Sequence, residues 1–167
     1  RAGNWMVLED NLRIPSGTAY AIVNRRLLRK HLPELQPPAG VADPDRLGVF
    51  GYSYGGYMTN VVITRTPRFK AAASGAGHSL IVGNYGHDIY QQWYNWELGL
   101  PWENREKYDR LSPLLRAGAV QTPTLFLGGR DDWNVPILSA ELFYQSLRKR
   151  GIDTQLVVYP GMHHGDW

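Results

Sequence analysis

Short apolar runs alternate along this chain with longer segments of helical periodicity, a pattern typical of β-α-β units. The runs that predict buried strands are 5–8, 46–50, 69–74, 124–127 and 155–159. Helical periodicity covers 54–65 and 137–149, and the second segment places Leu138, Leu142, Phe143 and Leu147 on one side before Gly151 ends it. The pattern predicts an α/β fold in which a mostly parallel sheet is flanked by helices.

Two segments depart from this alternation. Residues 32–44 contain Pro33, Pro37, Pro38 and Pro44 where a crossover helix is expected, so the connection is irregular or shortened. Residues 83–113 are rich in tyrosine and tryptophan, which predicts an excursion packed over the sheet and leaves open a second role as a pocket wall.

Composition narrows the class of protein. A length of 167 residues allows one hydrophobic core, so the chain is one globular domain or part of one. The chain has no cysteine, which excludes disulfides and a thiol nucleophile, and its apolar runs are too short for a membrane span. The net charge of +3 reflects basic clusters without interleaved aromatics, which indicate solvated helix faces rather than a nucleic-acid surface. The composition is that of a soluble enzyme, with cytoplasm and periplasm both left open.

The pentapeptide 51–55, Gly-Tyr-Ser-Tyr-Gly, follows a predicted strand and opens a predicted helix. This strand-turn-helix context is the one that a nucleophile elbow requires, with Ser53 at the tip of the turn. Gly51 and Gly55 leave room for the strand and helix to approach, and Gly56 adds further freedom. The alternative is a glycine-rich turn that carries a solvent-exposed serine.

A serine hydroxyl needs an imidazole as base, and the imidazole needs a carboxylate to hold it. The strand at 124–127 is followed by Asp131 and Asp132, and the strand at 155–159 is followed by His163 and His164. This order of serine, acid and base after successive strands predicts a catalytic triad. Composition alone does not choose between Asp131 and Asp132, or between His163 and His164. Taken separately, the two aspartates are also explained by helix capping or turn formation, and the two histidines by a surface loop.

Several segments resemble the prolyl oligopeptidase family of serine peptidases. They are Gly-Tyr-Ser-Tyr-Gly-Gly-Tyr at 51–57 with Asp-Pro-Asp-Arg-Leu-Gly before it, Ser-Pro at 112–113, Thr-Pro-Thr at 122–124, Asp-Trp-Asn-Val-Pro at 132–136, and 159–165. The resemblance implies an α/β-hydrolase fold. It selects Asp132, four residues before the proline of the Val-Pro pair, and His164, which directly precedes a glycine.

The resemblance also implies a reaction. Ser53 attacks a peptide carbonyl of an oligopeptide and forms an acyl-enzyme, with the backbone N–H of Tyr54 as one oxyanion donor and with no cofactor or metal. Asn134 and Val135 are implied to line the substrate site, with the excursion near Tyr85 as a further wall.

In the family, the second oxyanion donor and a β-propeller lie upstream of the segments matched here. We therefore expect residues 1–167 to be a single catalytic domain that represents the C-terminal portion of an α/β-hydrolase, with activity in isolation left open.

Other interpretations remain. A carboxylesterase uses the same triad on small esters, and a truncated hydrolase fold acts only as a binding module. A metal site built from His87, Asp88, His163, His164 and Asp166 is disfavoured, because adjacent histidines do not direct two imidazoles at one ion. The oligomeric state, including a homo-oligomer, is left open.

Overall fold

Four parallel strands form the sheet in this computed structural model, which describes residues 47–87 and 90–165. The strands are β1 (Gly48–Tyr52), β2 (Ala71–Gly75), β3 (Thr124–Gly129) and β4 (Thr154–Tyr159), and they lie in the sheet in their order along the chain. The prediction of a parallel α/β sheet is confirmed. The expected strand at 5–8 and the proline-rich segment 32–44 lie outside the described residues.

Strand ends follow the pairing register rather than the local run of apolar residues. The first described strand was predicted over 46–50, but it runs from Gly48 to Tyr52 and pairs with β2 from Gly48–Ala71 to Tyr52–Gly75. The strand thus ends at the residue before Ser53. Because every pairing is parallel, the carboxyl ends of all four strands meet at one edge of the sheet, the edge at which open α/β sheets bind ligands.

Four helices connect and cover the described strands: α1 (Tyr54–Ile63), α2 (Tyr90–Glu97), α3 (Arg105–Leu111) and α4 (Leu138–Lys149). Helix α4 ends at a left-handed Gly151, with φ of 74°, as expected from the sequence. The N–H of Gly151 donates to the carbonyl of Arg148, and the N–H of Ile152 donates to that of Leu147. This pair of bonds is the Schellman arrangement, which satisfies the last carbonyls of a helix.

The buried face of α4 differs from the predicted one at its start. Ile137, Ala140, Phe143 and Leu147 pack into the main core, whereas Leu138 is 50% exposed. Leu138 follows Ile137 by one position, which corresponds to a rotation of about 100° around the helix axis and turns its side chain away from the core. The prediction that Leu138 belongs to the apolar side is therefore wrong.

The aromatic excursion builds a small core of its own. It contains a 3₁₀ turn (Ile81–Asn84), α2, α3 and a second 3₁₀ segment (Pro113–Ala119). Ile81, Tyr94 and Tyr108 form its buried centre, against which Tyr57 of α1 packs. The phenol of Tyr57 donates a hydrogen bond of 2.9 Å to the carbonyl of Leu111. The excursion is therefore attached to the helix that follows the candidate nucleophile.

Candidate active site

Ser53 lies at a strained turn between β1 and α1. Its φ of 58° and ψ of −118° place a non-glycine residue in a region that ordinary side chains avoid. A Cβ on Gly51 would collide with the backbone of Gly55, and one on Gly56 would collide with the backbone of Gly75. The N–H of Ser53 donates to the carbonyl of Gly75 at 2.8 Å. Glycine at 51 and 56 thus allows the close approach that keeps the serine at the tip.

The structure brings together the three side chains selected from the sequence. The imidazole Nε2 of His164 lies 2.9 Å from the Oγ of Ser53, and its Nδ1 lies 2.8 Å from the Oδ2 of Asp132. Since the carboxylate can only accept, Nδ1–H donates to Asp132 and Nε2 accepts from the Ser53 hydroxyl. This is the tautomer that a general base needs in order to take the serine proton.

The carboxylate of Asp132 is held from two sides. Its side chain is completely buried, and its Oδ1 accepts hydrogen bonds from the backbone N–H groups of Asn134 at 2.9 Å and Val135 at 2.8 Å. With Oδ2 bound to His164, both oxygens are satisfied without an opposing cation. The residues expected to contact substrate thus orient the acid through their main chain, and the Val135 residue is only 3% exposed.

The neighbours Asp131 and His163 do not join this series of bonds. Asp131 is exposed, and its carbonyl accepts from the Nδ1–H of His163 at 2.7 Å. The Asp131 N–H donates to the carbonyl of Met162 at 3.1 Å. These contacts fasten the loop that carries the acid to the loop that carries the base.

His78 is a residue of this site that the sequence analysis missed. It lies three residues beyond the end of β2, and its backbone carbonyl accepts from the buried amide of Asn60 at 2.9 Å. Its Nδ1 is buried and has no hydrogen-bond partner within residues 47–87 and 90–165. Burial, aided by the nearby His164 and opposed by Asp132, lowers the pKa of His78 to about 4. Its position just past a strand, like those of the triad residues, was the available signal.

Two exposed aromatic residues stand next to triad residues in the sequence. Tyr54, next to the nucleophile, and Trp133, next to the acid, are 46% and 69% exposed. The Trp133 ring lies 6.2 Å from the ring of His87, which belongs to the excursion. Tyr85 instead donates to Asn95 at 2.9 Å and packs against Trp102 and Tyr108. The excursion therefore reaches the loop that carries Asp132 at His87.

Within the described ranges, no group of three or more histidine or carboxylate side chains could hold a metal ion. Asp88 and Asp166 of the disfavoured metal site fall outside those ranges. No helix in the same part of the chain is long and apolar enough to cross a membrane.

Residues 37–166 match the model of the prolyl oligopeptidase family. The chain belongs to this family. Among the curated relatives, an uncharacterized peptidase from Bacillus subtilis, YuxL, is 42% identical over 124 residues, which are 73% of this chain and 19% of the relative. The chain thus spans about a fifth of that relative's length.

Two solved peptidase structures agree with the fold. The acylaminoacyl peptidase of Pyrococcus horikoshii superposes with a TM-score of 0.70 at 33% identity, covering 84% of this chain and 22% of that one. A puromycin-hydrolyzing peptidase from Mycobacterium tuberculosis gives 0.68 at 32% identity, with shares of 87% and 22%. The four parallel strands and their helices are therefore part of an α/β-hydrolase fold.

The first residues of the chain resemble a different family. Residues 1–48 match the model of the circularly permuted ATP-grasp type 2 family. A putative glutamate–cysteine ligase 2-2 of Frankia casuarinae is 67% identical over 39 residues, which are 23% of this chain and 4% of that protein. The two family matches overlap only at 37–48.

Proposed function

We propose that this chain is a serine peptidase that hydrolyses oligopeptides through Ser53, His164 and Asp132. The observation that carries the proposal is the unbroken series of hydrogen bonds from Asp132 through His164 to Ser53, at a serine held in a strained elbow. Membership of the prolyl oligopeptidase family supports the same assignment.

The geometry supports a specific sequence of proton transfers. As Ser53 Oγ attacks the scissile carbonyl, its proton moves to Nε2 of His164, and the new imidazolium remains bonded to Asp132. When the tetrahedral intermediate collapses, the C–N bond breaks and the amine leaves with that proton. Water then attacks the acyl-enzyme and gives a proton to Nε2 of His164. The C–O bond to Ser53 breaks, Oγ takes that proton back from His164, and the acid product departs.

The oxyanion formed in each step needs hydrogen-bond donors. Tyr54 is the first residue of α1, so its N–H has no carbonyl one turn earlier within the helix. This donor directly follows the nucleophile and points from the positive end of the helix dipole. We assign the Tyr54 N–H as one oxyanion donor.

We also assign Asn134 to the substrate site, since it is half-buried beside the acid. Val135 stays in the proposal as a lining residue whose main chain holds Asp132.

Peptide rather than ester substrates are favoured by the relatives. An acylaminoacyl peptidase has been solved with Z-Gly-Gly-Phe-chloromethyl ketone, a peptide-like inhibitor. A carboxylesterase with the same triad would hydrolyse p-nitrophenyl esters and leave peptide amides intact. Hydrolysis of both substrate types by this chain is expected for the peptidase.

The first test is labelling with a fluorophosphonate, which acylates activated serines, scored by intact mass. We expect one label on the parent chain, none on Ser53→Ala, and normal labelling of the control Ser146→Ala, whose hydroxyl donates a hydrogen bond within α4.

The adjacent carboxylates Asp131 and Asp132 provide a second comparison. Asp132→Asn is expected to slow labelling by about 10³- to 10⁴-fold because it favours the wrong imidazole tautomer, while Asp131→Asn stays within about threefold. A folded parent that takes no label would indicate a silent binding module.

A further inference from the structure

We infer that Tyr52 is a positioning residue for the proposed triad, because its ring packs on the His164 imidazole and holds it between Ser53 and Asp132. The two ring centroids are 5.1 Å apart, and the ring planes are tilted by 36°. Both residues are half-buried. The inference rests on the proposed function and concerns how its base is held.

Two hydrogen bonds alone oppose one motion of the imidazole only weakly. The bonds to Asp132 and Ser53 are made at Nδ1 and Nε2, on opposite sides of the ring. They allow the ring to tip about the line that joins these two nitrogens, and such tipping bends both bonds away from good geometry. A ring against the imidazole face opposes this motion. Tyr52 supplies that contact.

The contact between Tyr52 and His164 follows from the position of Tyr52 in the chain, directly before the nucleophile elbow. Tyr52 is the last residue of β1 and immediately precedes Ser53, so the ring and the nucleophile are carried by the same rigid strand end. On the other side, Gly165 follows His164 with a φ of 92°, and a Cβ there would lie 3.8 Å from the Tyr52 hydroxyl oxygen. The loop that carries His164 therefore passes within van der Waals distance of the Tyr52 hydroxyl group.

The contact also stabilises the positive charge that forms on His164. His164 becomes an imidazolium when it takes the serine proton, and a cation near an aromatic face is attracted by the ring electrons. This attraction grows as the proton transfers, so it lowers the barrier rather than only strengthening substrate binding. The benzene ring provides the effect, and the hydroxyl group is not required for it.

The test compares Tyr52→Phe, which keeps the ring, with Tyr52→Leu, which removes it. Fluorophosphonate inactivation is measured over a range of reagent concentrations, so that the maximal rate constant and the apparent binding constant are obtained separately. We expect Tyr52→Leu to lower the rate constant by about 5- to 30-fold with binding within about twofold, and Tyr52→Phe to stay within about twofold of the parent. Tyr144→Leu, a half-buried tyrosine on α4, controls for a general loss of packing.

The inference is overturned if Tyr52→Leu reacts as fast as the parent, or if Tyr52→Phe slows as much as Tyr52→Leu. Thermal unfolding of each variant identifies any that do not fold, and Tyr52→Met, similar in bulk but without a π face, then replaces Tyr52→Leu.

A readout independent of chemistry separates this inference from the proposed function. The downfield imidazole N–H proton of His164 is followed by NMR and assigned by its loss in His164→Ala. We expect faster exchange with water in Tyr52→Leu than in the parent or Tyr52→Phe. Equal exchange rates, or no such resonance in the parent, contradict the inference. Failure of the parent to label, by contrast, contradicts the proposed function and leaves the NMR comparison decisive for Tyr52.

Discussion

At the scale of single residues, the site combines groups that bond to each other with one that does not. His164 forms hydrogen bonds with both Asp132 and Ser53. His78 lies beside them with a buried Nδ1 that has no partner in the described part of the chain. A charged imidazole there would repel the imidazolium that forms on His164. The lowered pKa of His78 keeps the ring neutral at neutral pH, which suits a base that must accept a proton nearby.

The same lowered pKa predicts how stability depends on pH. The folded pKa of His78 is about 4 against an ordinary value of 6.5, so the unfolded chain takes up the proton first as the pH falls. Stability from this residue is complete above pH 6.5, declines below it and is fully lost below about 4, a loss of about 2–3 kcal/mol by pH 4.5. We expect His78→Leu to flatten this part of the curve in urea unfolding from pH 7.5 to 4.5. Parallel curves for parent and variant would contradict the assignment.

At the scale of elements, the elbow depends on how closely α1 approaches β2. Ser74 donates from its Oγ to the carbonyl of Gly56 at 3.1 Å, and Asn60 donates to the turn after β2. Gly56 and Gly77 face each other so closely that a Cβ on either would meet the backbone of the other segment. The nucleophile and the His78 loop are therefore positioned by one helix-strand contact.

A methyl group placed in this contact should separate the two elements. We expect Gly56→Ala to lower the free energy of unfolding by about 2–3 kcal/mol, since backbone atoms cannot move aside as a flexible side chain can. Gly118→Ala is the matched control, because nothing lies within 4 Å of a Cβ built there. The control should change stability by less than about 1 kcal/mol. Equal chemical-denaturation midpoints for both variants would show that α1 has room to shift.

At the scale of the whole molecule, the chain carries two family matches. The prolyl oligopeptidase match covers 37–166, whereas the ATP-grasp match covers 1–48. All three residues of the proposed triad lie inside the first match. The expectation of one catalytic domain over 1–167 is untested. The second match favours the alternative that residues 1–36 do not contribute to the hydrolase.

A truncation tests this alternative. Because the family match begins at residue 37, we expect a chain of residues 37–167 to unfold at the same temperature as the full chain, within about 2 °C, and to label with fluorophosphonate at the same rate. Intact mass and scanning calorimetry measure the two properties. A lower melting temperature together with slower labelling would support a single domain that includes the N-terminal residues.

Local sequence was sufficient for the order of the four described strands and of helices α1 and α4, and for the residue types of the proposed triad. A glycine-rich turn between a strand and a helix predicts a strained serine, and Ser53 has the positive φ that such a turn requires. Gly151 ends α4 as its position indicated. These features can be predicted from the sequence because they depend on backbone conformations that few residue types adopt.

Only the tertiary structure distinguishes neighbours that composition treats alike. Asp131 and Asp132 differ by one position, yet one carboxylate is exposed and the other is bonded to His164, because successive residues of the loop face opposite ways. The contact of Tyr52 with His164, the placement of His78 and the exposed Leu138 depend in the same way on long-range packing. Sequence determines which groups are available at the ends of the strands, and the register of the sheet and the crossing of its loops decide which of them meet.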